Sequence, residues 1–178
     1  MLIALSGAQC TGKTTLLNAL KSDPLMSNRF TFVDEIVRTI QKKGFKINEA
    51  GNDETQVIVM QTHSENTKIP GDTLLDRCAL DGMVYTTYMW RHHKISRKTY
   101  YECLKVFLNC IEKYDIIFYL TPEFDIIPDG VRSTNVDFRN EVADIFEEII
   151  KSYKLTVVRL LGGVEERLSA MRKILNLK

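Results

Sequence analysis

The segment "LIALSGAQCTGKTTLLNAL", residues 2–20, joins a short apolar run to a segment of helical period. Between the two, residues 7–14 match the pattern G-x-x-x-x-G-K-[ST], whose glycines let the backbone curl so that successive N–H groups face a phosphate chain. An ordinary glycine-rich turn has no reason to place Lys13 and Thr14 at the start of a helix. The segment therefore predicts a phosphate-binding loop at a helix N-terminus.

The motif assigns roles within this loop. Lys13 is expected to reach the β- and γ-phosphates of ATP, and the Thr14 hydroxyl is expected to bind Mg²⁺. The residues predicted to bind ATP in and beside the loop are Gly7, Ala8, Gln9, Cys10, Thr11, Gly12, Lys13, Thr14 and Thr15.

Beyond the loop, short β-branched or aromatic runs alternate with longer segments of helical period, which is typical of a parallel sheet covered by helices. The predicted strands are 2–6, 30–34, 73–76, 115–120 and 155–160. The predicted helices are 13–22, 35–43, 53–67, 79–93, 97–113, 135–153 and 164–176. The fold class is therefore α/β with a five-stranded parallel sheet.

Composition limits the classes of protein that remain. With 178 residues, of which 44% are hydrophobic, the chain is expected to form a single domain spanning 1–178. A formal net charge of +1 gives no sign of a polyanionic partner, and no apolar run reaches the roughly 18 residues of a membrane helix. The four cysteines form no CxxC pair, so we expect a cytoplasmic protein with free thiols at Cys10, Cys78, Cys103 and Cys110.

Three classes of phosphate-loop protein compete: GTPase switches, AAA-type or motor ATPases, and kinases. The sequence has no Asn-Lys-x-Asp run for guanine recognition, which disfavours a GTPase. The string "FTFVDE" resembles the acidic strand end of an ATPase, but it follows Lys13 by only about 20 residues, too soon for the strand beside the loop strand. A kinase is favoured, and an ATP-binding regulatory protein without an acceptor is the alternative.

A kinase needs a carboxylate near the acceptor hydroxyl and cations near the transferred group. Asp34 and Glu35 end the second predicted strand, and Arg38 follows Glu35 by one helical turn. We assign Glu35 as the general base, with Asp34 as the second choice, and place Glu35 and Arg38 at the acceptor. An acidic pair that complements a helix dipole is the alternative interpretation.

A third apolar strand ends in Asp76 and Arg77, in the string "TLLDRC". An acid that closes an apolar strand is costly unless a cation lies beside it, and Mg²⁺ bound by Thr14 is the expected cation. Asp76 is therefore predicted to bind the metal. Arg77 is predicted to contact the phosphates or the acceptor, with an ion pair to Asp76 or Glu35 as the alternative.

The segment 121–139 contains two prolines, a glycine and mixed charge, and is predicted to form a lid over ATP. Arg132 and Arg139 are assigned to neutralise charge on the transferred phosphoryl group, against an alternative of solvated surface. Gly162 follows the last predicted strand and is placed beside the adenine.

In this order, the strings "GAQCTGKTT", "FVDEIVR", "LLDRCALDGMVY" and "DGVRSTNVDFRNE" resemble the P-loop nucleoside and nucleotide kinases, in particular the ribosylnicotinamide-kinase-like group with its phage-encoded relatives. The resemblance implies the strand order 2-3-1-4-5, a lid after the fourth strand, and ATP as the donor. By the same resemblance, Glu35 matches the acceptor-side carboxylate, and Asp76-Arg77 matches an acidic-Arg pair in which this chain has Asp in place of Glu. Some phage members phosphorylate 5-hydroxymethyluracil in DNA, so a hydroxymethylated base in DNA is the alternative acceptor.

The segment "YTTYMWRHHKISRKTYY", residues 85–101, bears on that alternative because it mixes aromatic and basic residues. Such a mixture can stack bases and follow phosphates. Its aromatic positions follow helical spacing, so we favour a buried stripe of two helices with a solvated elbow between them. His63 is interpreted as a surface or core histidine rather than a catalyst.

Overall fold

The computed structural model of the chain describes residues 1–37, 40, 44–123 and 135–177. Within these residues a parallel sheet has the order β2-β3-β1-β4-β5. Its strands are β1 Leu2–Ser6, β2 Thr31–Val33, β3 Thr73–Asp76, β4 Ile116–Leu120 and β5 Val158–Leu160. The predicted α/β class and the strand order 2-3-1-4-5 are confirmed.

Helices cover both faces of the sheet. They are α1 Lys13–Ser22, α2 Pro24–Ser27, α3 Asp53–Asn66, α4 Ala79–Arg91, α5 Arg97–Cys110, α6 Val136–Ser152 and α7 Val164–Ile174. Helices α3 to α6 pack on one face of the sheet, and α1, α2 and α7 pack on the other. Alternate residues of β1 point to opposite faces, so Ala4 joins the first core while Ile3 and Leu5 join the second.

The sheet places the polar strand ends at one edge. Strand β3 lies directly beside β1, with Asp76 opposite Leu5 in the register. Strand β2 lies at the outer edge and pairs with β3. The acidic strand end next to the phosphate loop is therefore Asp76. The Asp34–Glu35 pair follows the outer strand β2 instead, as expected from its short distance along the chain from Lys13.

Several predicted boundaries were wrong. The short helix α2 was missed, although Asp23 caps it through Met26 N and Pro24 is its first residue. Strand β5 begins at Val158 rather than at 155, because Leu155 N donates to Ile150 O and the residues before it close the end of α6.

Other helices end earlier than predicted. Helix α5 ends at Cys110 and continues as a 3₁₀ turn, Ile111–Lys113, and α4 ends at Arg91. The last part of the predicted lid, residues 136–139, is the first turn of α6. The predicted helix 35–43 and the lid residues 124–134 lie wholly or largely outside the described residues.

The four cysteines are buried free thiols, as expected. In the part of the chain that the structure describes, no helix combines the length and the apolar character needed to cross a membrane.

Candidate active site

The loop 7–14 joins β1 to α1 through backbone conformations that L side chains rarely adopt. Gly7 has a φ of 142° and Gly12 a φ of 84°. A Cβ on Gly7 would lie 2.3 Å from the carbonyl oxygen of Leu120, where β4 ends. Cys10 also has a positive φ, of 59°. The loop curls ahead of the N-terminus of α1, which is the arrangement that favours a bound phosphate.

Lys13 lies within this loop rather than in solvent. Its Nζ donates to Gly7 O over 2.7 Å, to Ala8 O over 2.5 Å and to Thr11 Oγ1 over 3.1 Å. Burial and the nearby Arg77 lower the pKa of the Lys13 ammonium to about 7. The side chain is thus held at the mouth of the predicted cradle, where a phosphate would restore its charge.

Asp76 ends β3 beside the loop and is 6% exposed. Burial, followed by the Glu35 carboxylate, raises the pKa of Asp76 to about 6. Its Oδ1 is buried without a hydrogen-bond partner. A buried carboxylate oxygen of this kind fits a cation better than an apolar surrounding.

The residues present fit Mg²⁺ bound together with a nucleotide. Mg²⁺ is usually bound by one or two protein oxygens while phosphates and waters complete its shell. Thr14, half-buried on the first turn of α1, and Asp76 would be the protein ligands. Consistent with so few protein ligands, no cluster of three or more His, Cys, Asp or Glu suited to a metal occurs among the described residues.

Arg77 links two carboxylates in a buried chain of ion pairs. Its Nε donates to Glu35 Oε1, and its Nη1 donates to Asp81 Oδ1 over 3.0 Å and to Gly7 O over 3.2 Å. The side chains of Glu35 and Arg77 are 12% and 8% exposed. Although burial opposes its charge, Glu35, Tyr85 and the aspartates raise the pKa of Arg77 above its usual value. The ion pair with Glu35, the alternative considered for Arg77, is present.

Asp81 belongs to the site and was missed by the sequence analysis. It accepts from Ser6 Oγ over 2.7 Å, from Gly7 N over 3.2 Å and from Cys78 N over 3.1 Å. The last bond belongs to a capping box at the start of α4, in which Asp81 is the third helical residue. An acid three residues after a helix cap was therefore the available signal. Asp81 fixes the start of the phosphate loop to α4 and to Arg77.

A narrow cleft opens beside this chain of ion pairs. Its polar lining includes Glu35, Gln56, His63, Arg77, Asp81 and Tyr85, and its apolar lining includes Val37, Ile47 and Val59. Gln56 Oε1 accepts from Thr86 Oγ1 over 3.1 Å, which fixes the amide between α3 and α4. The cleft combines an apolar wall with a few fixed polar groups, as small-molecule sites do.

His63 is a core histidine that also lines the cleft. It is 2% exposed, and its Nδ1 is buried without a hydrogen-bond partner. Burial lowers the pKa of the imidazole to about 4, with opposing effects from Asp81 and Glu35 and a further lowering by Arg77. The ring is therefore neutral at physiological pH, which agrees with its interpretation as a core residue.

The two candidate bases lie in different surroundings. Asp34 forms an ion pair with Lys21 of α1, and its side chain is 73% exposed. Glu35 points into the cleft and pairs with Arg77.

Of the predicted arginines, Arg139 lies half-buried on the first turn of α6. Arg38 and Arg132 lie outside the described residues.

On the opposite side of the loop, a second arginine contacts the cradle. Arg167 of α7, 2% exposed, donates from Nη1 to Thr11 O over 2.7 Å. Its Nη2 lies 3.7 Å from Glu123 Oε1, and Glu123 Oε2 accepts from Gly162 N over 2.9 Å. This cluster joins the predicted adenine position at Gly162 to the phosphate loop. Sequence reasoning missed Arg167, which looks like a surface residue of an amphipathic helix.

Part of the basic segment 85–101 lies against acidic residues of α6. Arg91 pairs with Glu148 and His92 with Glu141, both on α6. Tyr88 is 7% exposed and packs edge-on against Phe138. The predicted buried stripe is confirmed only in part, because Trp90 and Tyr101 are 41% and 52% exposed. The contacts with α6 nevertheless favour a helical stripe with a charged elbow over a nucleic-acid surface.

A family model for an AAA domain, AAA_28, matches residues 2–167. The chain belongs to this AAA domain family. The matched region includes the phosphate loop, the Glu35–Arg77–Asp81 ion pairs and Arg167. No curated protein matches the chain at a significant level.

Solved structures share the fold at low identity. Deoxyadenosine kinase from M. mycoides, with dCMP and dCDP bound, is 15% identical, with a TM-score of 0.72 over 99% of this chain and 98% of its own. NadR in complex with NR is 18% identical, with a TM-score of 0.79, and this chain spans 52% of it. The YorR protein of Bacillus subtilis, solved with phosphorylated GDP, has a TM-score of 0.60 at 13% identity, over 99% and 96% of the two chains. The chain thus shares its fold with these three proteins.

Proposed function

We propose that this protein is an ATP- and Mg²⁺-dependent kinase that transfers the γ-phosphoryl group to a hydroxyl of a nucleoside or nucleotide. The observation that carries the proposal is the position of Glu35. Its carboxylate is held by Arg77 in the wall of the cleft, and Arg77 also donates to Gly7 O of the phosphate loop. A carboxylate fixed between a phosphate cradle and a small-molecule cleft suits a phosphoryl acceptor.

The chain's own residues divide the work of transfer. The loop 7–15 binds the phosphates, and Lys13 places a positive charge against them. Glu35 accepts the proton of the acceptor hydroxyl as its oxygen bonds to the γ-phosphorus, and the bond from that phosphorus to the β,γ-bridging oxygen breaks to release ADP. Thr14 and Asp76 would hold Mg²⁺, which would neutralise charge on the phosphates of the nucleotide. We propose that Arg139 neutralises charge on the transferred phosphoryl group. Two further arginines lie outside the described residues: Arg132 is assigned to the same charge, and Arg38 to the acceptor.

Arg77 is proposed as the residue that orients Glu35. Its Nε and Nη1 already donate to three partners: Glu35, Asp81 and Gly7 O. A bidentate contact from Arg77 to a phosphate would require one of these bonds to break.

We assign Glu35 rather than Asp34 as the base, because the Asp34 carboxylate pairs with Lys21 at the surface.

The test is transfer of labelled γ-phosphate from ATP to a panel of nucleosides and nucleotides, ribosylnicotinamide, and DNA with and without hydroxymethyluracil. Label on a small molecule is the expected result. Glu35→Gln is expected to lower kcat about 10²- to 10⁴-fold with ATP affinity unchanged, because the amide keeps the shape of the side chain but cannot take the proton.

Asp34→Asn is the matched control, since it removes the neighbouring carboxylate without touching the cleft. It is expected to keep kcat within about 2-fold. Equal losses of kcat in the two variants would contradict the assignment of Glu35 as the general base. Label released only as inorganic phosphate across the whole panel would replace the kinase by a regulatory ATP-binding protein.

A further inference from the structure

The amide of Gln9 is a buried donor left unpaired inside the phosphate loop. Gln9 is the third residue of the loop and is 3% exposed. Its Oε1 accepts from the Tyr85 hydroxyl over 3.2 Å, whereas its Nε2 is buried without a hydrogen-bond partner. Buried amide donors are nearly always paired in folded proteins, so an unpaired one within a ligand-binding loop points to a ligand acceptor.

Tyr85 fixes which way this amide faces. It belongs to α4 and lines the cleft, and the guanidinium of Arg77 lies 5.5 Å from the centre of its ring. Because the Tyr85 hydroxyl holds the amide oxygen, the NH₂ group is left on the other side of the amide. The pair therefore connects the cleft with the loop that carries Lys13, at the boundary between the two.

We propose that Gln9 Nε2 donates a hydrogen bond to a non-bridging oxygen of the γ-phosphoryl group, with Tyr85 as the positioning residue that orients the amide. This inference rests on the proposed function for the transfer step. As the acceptor oxygen bonds to the γ-phosphorus and the bridging bond to ADP breaks, the hydroxyl proton goes to Glu35 and Gln9 exchanges no proton. Charge on the transferred group is spread over its non-bridging oxygens, which a fixed neutral donor stabilises in a site shielded from water.

The contacts of the Gln9–Tyr85 pair favour this role over a purely structural one. If the Gln9–Tyr85 contact served only to join the loop to α4, the amide oxygen alone would suffice. The loop is already joined to α4 by the bonds from Ser6 and Gly7 to Asp81. The NH₂ group adds nothing to that connection, since it donates to no atom of the described residues.

Gln9→Met tests the donor, because it keeps the length of the side chain and removes the hydrogen bond. We expect kcat to fall about 10- to 100-fold, with the KM for the nucleoside acceptor within about 2-fold of the wild-type value. We also expect the affinity for AMP-PNP, relative to that for ADP, to fall about 5- to 10-fold, because only AMP-PNP carries a γ-phosphoryl group. Tyr85→Phe removes the orienting hydroxyl and is expected to give a smaller loss in the same direction.

Gln61→Met is the matched control, since Gln61 is an exposed residue of α3 outside the cleft. It is expected to change neither measurement. Unchanged kcat and an unchanged ratio of AMP-PNP to ADP affinity in Gln9→Met would overturn the proposal and leave Gln9 with a packing role. The affinity ratio is measured without turnover, so it still tests Gln9 if the wild-type protein transfers phosphate to no member of the acceptor panel.

Discussion

The carboxylate of Asp76 lowers the stability of the folded protein when no cation or nucleotide is bound. This carboxylate is buried, one oxygen has no hydrogen-bond partner among the described residues, and burial raises its pKa to about 6, so the charge that Asp76 carries at neutral pH costs more than it would in water. The nearest compensation comes from Lys13 and Arg77, both of which have other partners. A carboxylate kept in such surroundings is expected of a ligand-binding group rather than of a structural one.

Asp76→Asn is therefore expected to stabilise the protein and to impair nucleotide binding. At pH 7.5 without Mg²⁺ or nucleotide, we expect the free energy of unfolding to rise by about 1–3 kcal/mol, because the buried charge is removed. Mg²⁺-ATP should stabilise the wild-type protein against urea but stabilise the variant much less. Urea unfolding with and without Mg²⁺-ATP measures both effects, and a less stable variant would indicate a structural role for the carboxylate.

Arg77 combines an unfavourable backbone conformation with favourable side-chain bonds. Its φ of 76° lies in the left-handed region, which costs a residue with a side chain about 1–3 kcal/mol. The conformation directs the guanidinium toward Glu35, Asp81 and Gly7 O, whose bonds offset the strain. The backbone at this strand end is thus set by the ion pairs of the site.

At the scale of elements, the cleft depends on how closely α3 approaches α4. Gly82 of α4 faces α3, and a Cβ at this position would lie 2.3 Å from Met60 Sδ and 3.1 Å from His63 Cδ2. Both of these residues are buried, at 0% and 2% exposure. The absence of a side chain at Gly82 therefore sets the separation of the two helices that form the cleft wall.

Gly82→Ala is expected to lower the free energy of unfolding by up to about 2 kcal/mol, measured by urea denaturation. Overpacking against Met60 costs about 1–3 kcal/mol, and the gain in helix propensity of about 1 kcal/mol offsets part of this cost. A double-mutant cycle with Met60→Ala provides the control, because removing the sulfur gives the new methyl room, and we expect a coupling of about 1 kcal/mol. A net gain in stability for Gly82→Ala would show that the helices can separate freely.

For the whole molecule, His63 makes stability depend on pH. Its pKa is about 4 in the folded protein, against an ordinary value of 6.5, because burial disfavours the charged ring. Between these values the unfolded chain binds a proton that the folded protein does not, so stability falls as the pH drops from 6.5 toward 4. The charged groups that act on the ring are Asp81, Arg77 and Glu35.

We expect His63→Gln to remove this loss, which amounts to about 3 kcal/mol in total. The quantity to measure is the difference in free energy of unfolding between variant and wild type from pH 7 to pH 4, because all other groups titrate in both proteins. His93→Asn is the control, since His93 is exposed and its positive φ suits asparagine. A difference that does not change with pH in His63→Gln would show that the ring takes up its proton at the same pH in the folded protein as in the unfolded chain.

The sequence predicted what is local in the chain. Strand β1, helix α1 and strand β3 have the predicted bounds, and the phosphate loop between the first two lies where its motif placed it. The prediction of the loop succeeded because the glycines, Lys13 and the helix start are contiguous, so their geometry follows from residue type and spacing. The alternation of strands and helices likewise predicted the parallel sheet.

The functional surroundings were decided by tertiary structure. Asp34 and Glu35 are neighbours in sequence, yet one pairs with Lys21 at the surface and the other with Arg77 in the cleft, and no local pattern distinguishes them. Asp81 and His63 enter the site only because α4 and α3 pack on the same face of the sheet. By itself, the sequence predicted the phosphate loop, because its glycines, Lys13 and the helix start are adjacent in the chain. Only the tertiary structure placed Glu35, and not Asp34, in the wall of the cleft, because burial and ion pairing depend on residues that are distant in the chain.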